Sequence, residues 1–547
     1  MFLSSALLAL ALQTPAPAAA SVTLADLVPH GTIAFVQVPS LDRAAQFAQR
    51  MLETFQPGGG PPMSGAVLLA MTGLRCDSTA IDATRPIGVC VVLGEQSGGQ
   101  PMPTVLIPVK DADAFLKSVE QPGAPWKGTA KGGYVSLGLG LAPEIPGVPA
   151  AIANGMPAGE VAARLDLGRL IEQYRDQIDE GLNQVESLGS SLPPSAAGVN
   201  PAPMMGAYAD LLRDFIDSAE TLDLAVQLEG DDFELGMKLT NGEGSPFADF
   251  GSKEKTGVRA MASKLVPGAG LEMVFGADMP KLLKRFQPMF DVMPAMYPEP
   301  MRGMLGPVFQ HIGEFYGLLG SAQAISFDFS PAGMRYTAYL DCKDPAKLVE
   351  LYRTMMKSFP GFEIRELPAR EFEGFAIAGF HFDMDLEAMS KSLGQQPLPP
   401  EASEQMQTLM KSMFGSEGMS FQVASRDGVT AIVMGGDDEF LHGALARMSS
   451  KAEPAPFVAH ALREVGDLSP CFVMHYDLGR MLGGMKTVMA AALPGGADQI
   501  PDLALSVGAY GGVDGRTWRG ALSLSMKELA ALAHMRKSPG SSTPTPR

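Results

Sequence analysis

The 547-residue chain is short of the residues that usually announce a chemistry. It has four cysteines, two tryptophans and seven histidines. No Cys-x-x-Cys occurs, which removes a thioredoxin-like redox motif and a zinc knuckle. Lys and Arg total 42 against 60 Asp and Glu, for a formal charge of -18 and a pI near 4.9. No cluster of basic residues forms a groove for phosphates, so nucleic acid and anionic lipid surfaces are poor partners. Nowhere does an apolar run approach the ~20 residues that a membrane-spanning helix needs, so no transmembrane anchor is expected. Gly-x-Ser-x-Gly, His-Glu-x-x-His, a Walker loop and a dinucleotide fingerprint are all missing, and no catalytic residue or cofactor is assigned. "SKEKTG" at 252–257 holds both Ser-x-x-Lys and Lys-Thr-Gly. In penicillin-binding enzymes those elements come from separate segments, and here they overlap in one polar connector, which marks the match as coincidence.

What is present is globular: 46% apolar and 19% charged residues, enough for two or more domains. The first residues, "MFLSSALLALALQTPAPAAASVT", carry an apolar run from Phe2 to Leu12, with Ala18 and Ala20 placed for cleavage before Ser21. Residues 1–20 read as an export signal, although no Lys or Arg precedes the run. The mature chain is therefore expected in the periplasm or outside the cell. In that compartment Cys76 and Cys90 are the favoured disulfide pair of the three pairings that four cysteines allow, because they close a short loop.

The chain repeats itself. "AFVQVPSLDRAAQF", "VAARLDLGRLIEQY", "EMVFGADMPKLLKRF" and "CFVMHYDLGRMLGGM" each run an apolar strand into Ser40, Asp166, Asp278 or Asp477, followed by a helical pattern. Ser and Asp cap a helix N-terminus by accepting an orphan amide of its first turn. The base three residues later gains nothing from the helix dipole and is expected in solvent. "PMSG" at 62, "PMMG" at 203 and "PMRG" at 300 each open another amphipathic helix, where Pro fits the first turn. Period-two hairpins follow, such as "AISFDFSPAGMRYTAYL" and "LALSVGAYGGVDGRTWRGALSL". Each leads to a last helix near Asp111, Ser245, Asp344 or Ser525.

Spacing supports the plan. Ser40 to Pro62 and Asp278 to Pro300 are both 22 residues, and Pro62 to Ile87 and Pro300 to Ile325 are both 25. The expected fold is α+β: antiparallel sheets covered on one face by helices, in four related strand-helix-helix-hairpin-helix units. These form two tandem halves, 21–264 and 265–537, the second with an insertion at 360–469. A polar tail, 538–547, is expected to be disordered.

Two clusters stand out as candidate sites. Met289, Met293, Met296, Met301 and Met304 enrich one helical region in soft, adaptable side chains, suited to an apolar ligand or a partner peptide and, less simply, to Cu(I). In "GFHFDMD", His381, Asp383 and Asp385 fall on one side of a strand, close enough to share a cation. An exposed polar face opposite Phe380, Phe382 and Met384 is the plainer reading of that triad. His475 and Asp477 form a similar pair, with Asp477 engaged as a cap.

The stretches "HGTIAFVQVPSLDRAAQF" and "VLIPVKDADAFL", behind an export signal, resemble large uncharacterised exported bacterial proteins that carry domains of unknown function. That resemblance implies no activity. The reading reached is an exported, non-enzymatic binding or structural protein of the cell envelope that engages a partner protein or an apolar ligand. The alternative is an envelope hydrolase or metal-dependent enzyme with its site in 360–469.

Overall fold

The computed structural model describes residues 22–55, 62–71, 74, 76–93, 100–144, 150–191, 200–248, 250, 255–330, 333–358, 361–385, 400–414, 418–466, 468–492 and 502–537. Residues 1–20, read above as an export signal, and 538–547, expected to be disordered, lie outside them. Among the described residues the fold is mixed α and β with extensive antiparallel sheet, and no helix is long and apolar enough to cross a membrane.

The chain divides into two compact units. The first, residues 1–170 with 221–228, holds β1 (Thr32–Val38), β2 (Ile87–Leu93), β3 (Pro101–Pro108), β4 (Trp126–Lys131), β5 (Tyr134–Leu139), β6 (Val161–Asp166) and most of β7 (Ala219–Glu229). They pair antiparallel in the order β4-β5-β3-β2-β1-β6-β7. Alternation along β2 and β3 sends Cys90 and Leu106 to one face, with Phe35, and Ile107 to the other, with Phe115 and Leu137.

The second unit, 171–220 with 229–547, contains β8 (Asp232–Asn241), β9 (Leu271–Gly276), β10 (Leu319–Ser330), β11 (Gly333–Cys342), β12 (Phe362–Glu366), β13 (Arg370–Phe372), β14 (Phe375–Met384), β15 (Met419–Arg426), β16 (Val429–Gly435), β17 (Ser469–Asp477), β18 (Ser506–Asp514) and β19 (Thr517–Ser525). Its order is β8-β19-β18-β17-β9-β10-β11-β16-β15-β14, with β12 and β13 both along the outer side of β14. Strand pairing thus groups the chain differently from the halves expected at 21–264 and 265–537, because β8 joins β19. Nor does the 360–469 segment stand apart as an insertion: β16 pairs with β11 and carries β15 and β14 with it.

Local chemistry explains the corners. Ser40 Oγ accepts from the Arg43 amide at 3.1 Å, and Asp166, Asp278 and Asp477 accept from Arg169, Lys281 and Arg480 at 3.0, 3.3 and 2.8 Å. All four strand-to-helix corners are capped as the sequence suggests. Asp111 and Asp344 cap later helices in the same way. Ser245 does not open a helix; its Oγ accepts from the Phe247 amide in a turn, and the next helix is Lys255–Ala262. In the β15–β16 hairpin, Asp427 and Gly428 both take positive φ, 51° and 80°, the conformation that a two-residue turn of this hand requires.

Candidate functional site

On one face of the second unit's sheet, Asp278 starts the helix Met279–Val292, whose Leu282, Leu283, Phe286 and Phe290 recur at helical spacing and look down on β9 and β10. Met273, Phe275 and Ile325 form the floor and Tyr316, from the helix Glu299–Leu318, closes one side. They line a cavity of about 340 Å³ in which Gln323 and Tyr316 are the residues with polar side-chain groups. That size falls within the range of small-molecule pockets, roughly 300–1,000 Å³.

The sheet face continues apolar beyond the cavity. Register carries Phe275 to Phe472, Gly511, Gly520 and Met237 in one row, and Met273 to Met474, Ala509, Leu522 and Leu235 in the next. Phe472, Leu522 and Met237 are 36%, 37% and 51% exposed, an apolar surface larger than isolated exposed residues would make.

Of the methionines expected to carry binding, Met289, Met293, Met296 and Met301 are not among the residues that line this cavity. Met289 is on the covering helix; Met293 and Met296 bound the single 3-10 turn that follows, and Met301 lies in the first turn of the helix Glu299–Leu318. All four are half-buried, and the 3-10 turn packs among the helices Ala202–Ser218, Met279–Val292 and Glu299–Leu318. The side chain of Met304 lies outside the described set. Leucine and phenylalanine supply most of the roof instead.

His381 and Asp383 share one face of β14, as strand periodicity requires, with Arg365 and Glu363 opposite them on β12. Asp385 follows the strand end, where its amide donates to the Gly361 carbonyl at 2.5 Å. Asp383 packs against Gly418, where any Cβ would run into its carboxylate. Among the described residues no three His, Cys, Asp or Glu side chains are grouped to hold a metal ion, so the triad is not brought together. Cys76 and Cys90 are both free. Cys90 sits in the cluster on one sheet face and Cys76 packs against the cluster on the other, which leaves the sheet between the two thiols.

The opposite face of the second sheet carries a polar row that spans six strands. Ser326 on β10 faces Glu272 on β9, then His475 on β17, Gly508 on β18, Ser523 on β19 and Glu234 on β8. Glu272 is 1% exposed; its Oε1 accepts from the Gly268 amide, and its Oε2 has no partner. Burial pushes its carboxyl above the usual range, against the pull of the Gly268 and Ala269 amides. Burial also lowers His475, partly offset by Asp477 and Glu528. Over this end of the row the helix Pro456–Val465 encloses a second cavity, about 470 Å³, lined by Asp232, Glu234, Phe457, His460, His475 and the serines Ser506, Ser523 and Ser525.

One corner base is also engaged. Arg480 Nε lies 3.1 Å from each carboxylate oxygen of Asp328 and one terminal nitrogen 2.6 Å from Oδ2, a two-pronged pair where solvent was expected. The signal for the polar row was an acid inside the apolar strand "LEMVFG" and the small residues of "SVGAY" and "ALSLS".

No family model matches the chain and no curated protein matches it. Among solved structures, crystal form III of TP0453 aligns over 50% of this chain and 97% of that one, at 8% identity and a TM-score of 0.22. Form IV aligns over 50% and 95% at 9% identity and 0.23, and form I over 51% and 98% at 9% and 0.22. At that overlap neither fold nor function carries across.

Proposed function

We propose that the chain is an exported, non-enzymatic binding protein of the cell envelope or extracellular space that holds an apolar ligand beneath the helix Met279–Val292. The observation that supports this most is the cavity itself: about 340 Å³ walled by Leu, Phe, Met and Ile, with one amide and one phenol to orient an occupant. The apolar rows that leave it toward Phe472 and Met237 extend the same chemistry. The four capped corners support the further reading of four related units. Export rests on the pattern of residues 1–20. A hydrolase or metal enzyme centred on His381, Asp383 and Asp385 has less in its favour, since those groups do not converge.

The test is a titration of the purified protein with the apolar fluorophore 1-aminoanthracene. One saturable site is expected, and Leu282→Trp or Ile325→Trp, each filling the cavity, should abolish it. Absence of saturable binding, or binding untouched by both substitutions, would count against the proposal.

A further inference from the structure

The second cavity lies on the other face of the same sheet: His475 is opposite Glu272 in register, while Met273 turns toward the apolar cavity. Its depth is made by residues with little or no side chain. Gly508 is essential to this, because a Cβ there would strike the ring of Phe457, which lies across the strand. Ser506, Ser523 and Ser525 keep the neighbouring positions short. Phe457 and His475 stack with ring centroids 5.2 Å apart, which makes an aromatic wall.

The charge balance is one-sided. Asp232 and Glu234 line the cavity, and among the described residues that line it there is no Lys or Arg. Lys527, on the helix that follows Ser525, is paired with Asp231. Glu528 is occupied by the Ser506 amide and hydroxyl at 2.6 and 3.0 Å, and Asp477 by the Arg480 amide. Glu234 is different. Its side chain is 20% exposed, and His460 Nε2 stands 3.9 Å from its Oε2, beyond hydrogen-bond reach and an ion-pair partner only when protonated. Burial lowers His475 and so disfavours a positive charge on it. A half-enclosed carboxylate with no Lys or Arg among the described lining residues, beside an aromatic wall and three hydroxyl groups, disfavours any anion and suits a positively charged group.

We infer that this cavity binds a small organic cation, with its ammonium group against Glu234 and Asp232 and its carbon skeleton against Phe457. The serine hydroxyls accept the remaining N–H bonds. Such a ligand replaces water around the carboxylates with a charge-assisted contact, the stronger kind of hydrogen bond. This site is independent of the apolar cavity and can be present or absent whatever that one holds.

The experiment is isothermal titration of the full exported chain with 1,4-diaminobutane, agmatine and tetramethylammonium, and with glucose as a neutral control of similar size. Saturable binding of at least one cation is expected, with glucose silent. Glu234→Gln, which keeps shape and removes charge, should weaken that binding at least tenfold while 1-aminoanthracene binding is unchanged. Failure of all three cations, glucose binding of equal strength, or undiminished cation binding by Glu234→Gln would each overturn the inference.

Discussion

Removing the Asp477 carboxylate tests how a strand-to-helix corner is held. Its Oδ1 accepts from the Arg480 amide at 2.8 Å, where the helix Leu478–Ala492 begins. Alanine leaves that amide without its cap, a loss of about 1 kcal/mol within a range of roughly 0.5–2. The same turn launches the Arg480 side chain toward Asp328, which is 17% exposed against 50% for the arginine. A frayed turn weakens that pair too, so Asp477→Ala combined with Asp328→Ala should cost less than the two separately, by about 0.5 kcal/mol or more. Because the chain is too large for a two-state unfolding curve, the measurement is amide hydrogen exchange of peptides covering 478–492, which reads local opening. One kcal/mol corresponds to roughly fivefold faster exchange. Asp477→Asn keeps an acceptor and should change exchange by a few tenths of a kcal/mol at most. Unchanged exchange in the alanine variant, or an asparagine effect as large as alanine's, would refute this account of the corner.

Other outcomes follow from burial. His475 is lowered, so its contribution to stability is complete above the unfolded value of 6.5 and is lost as pH falls through its folded value; His475→Gln should flatten that loss in exchange of the β17 amides. Glu272 is raised, so its contribution is complete below 4.5 and is lost as pH rises through its folded value. Glu272→Gln should therefore slow exchange of β9 at pH 8 and have little effect at pH 4, and a variant that exchanges faster at pH 8 would contradict the sign. The Tyr339 hydroxyl donates to the Ala444 carbonyl at 3.0 Å in a fully buried setting, so Tyr339→Phe should cost about 1 kcal/mol in exchange of the β11 amides. Burial pushes the Cys90 thiol up to about 12 and Cys471 to about 11. Iodoacetamide at pH 8 should leave both unmodified in the native protein and should label all four cysteines after denaturation without reductant. A requirement for reductant would show a disulfide.

Local chemistry made much of the fold legible. Ser40, Asp166, Asp278 and Asp477 are recognisable as caps because the cap and its amide are three residues apart. The same holds for the β10–β11, β15–β16 and β18–β19 hairpins, whose turns and alternation sit in one short window. The order of the sheet was not legible, because β8 meets β19 and β9 meets β17 only after long stretches of chain have folded between them. For that reason the polar row was hidden: each strand contributes a single residue to it, and Glu272, His475, Ser523 and Glu234 become neighbours only through register. The methionine cluster lies in the same helical region as the cavity, whose lining includes none of its described side chains. Met289 and Met293 continue the helical spacing of Leu282 and Phe286, so phase alone does not separate them from the residues that line the cavity. Cys76 and Cys90 are close in sequence, yet the parity of β2 sends Cys90 to the far face.

The most direct measurement of apolar binding is native mass spectrometry of the chain purified from an exported fraction, repeated after denaturation and with Leu282→Trp. A mass excess that is present in the wild type, vanishes on denaturation and is missing from Leu282→Trp is the expected result. A bare chain mass in the wild type, or an excess that Leu282→Trp retains, would contradict a ligand held beneath the helix Met279–Val292.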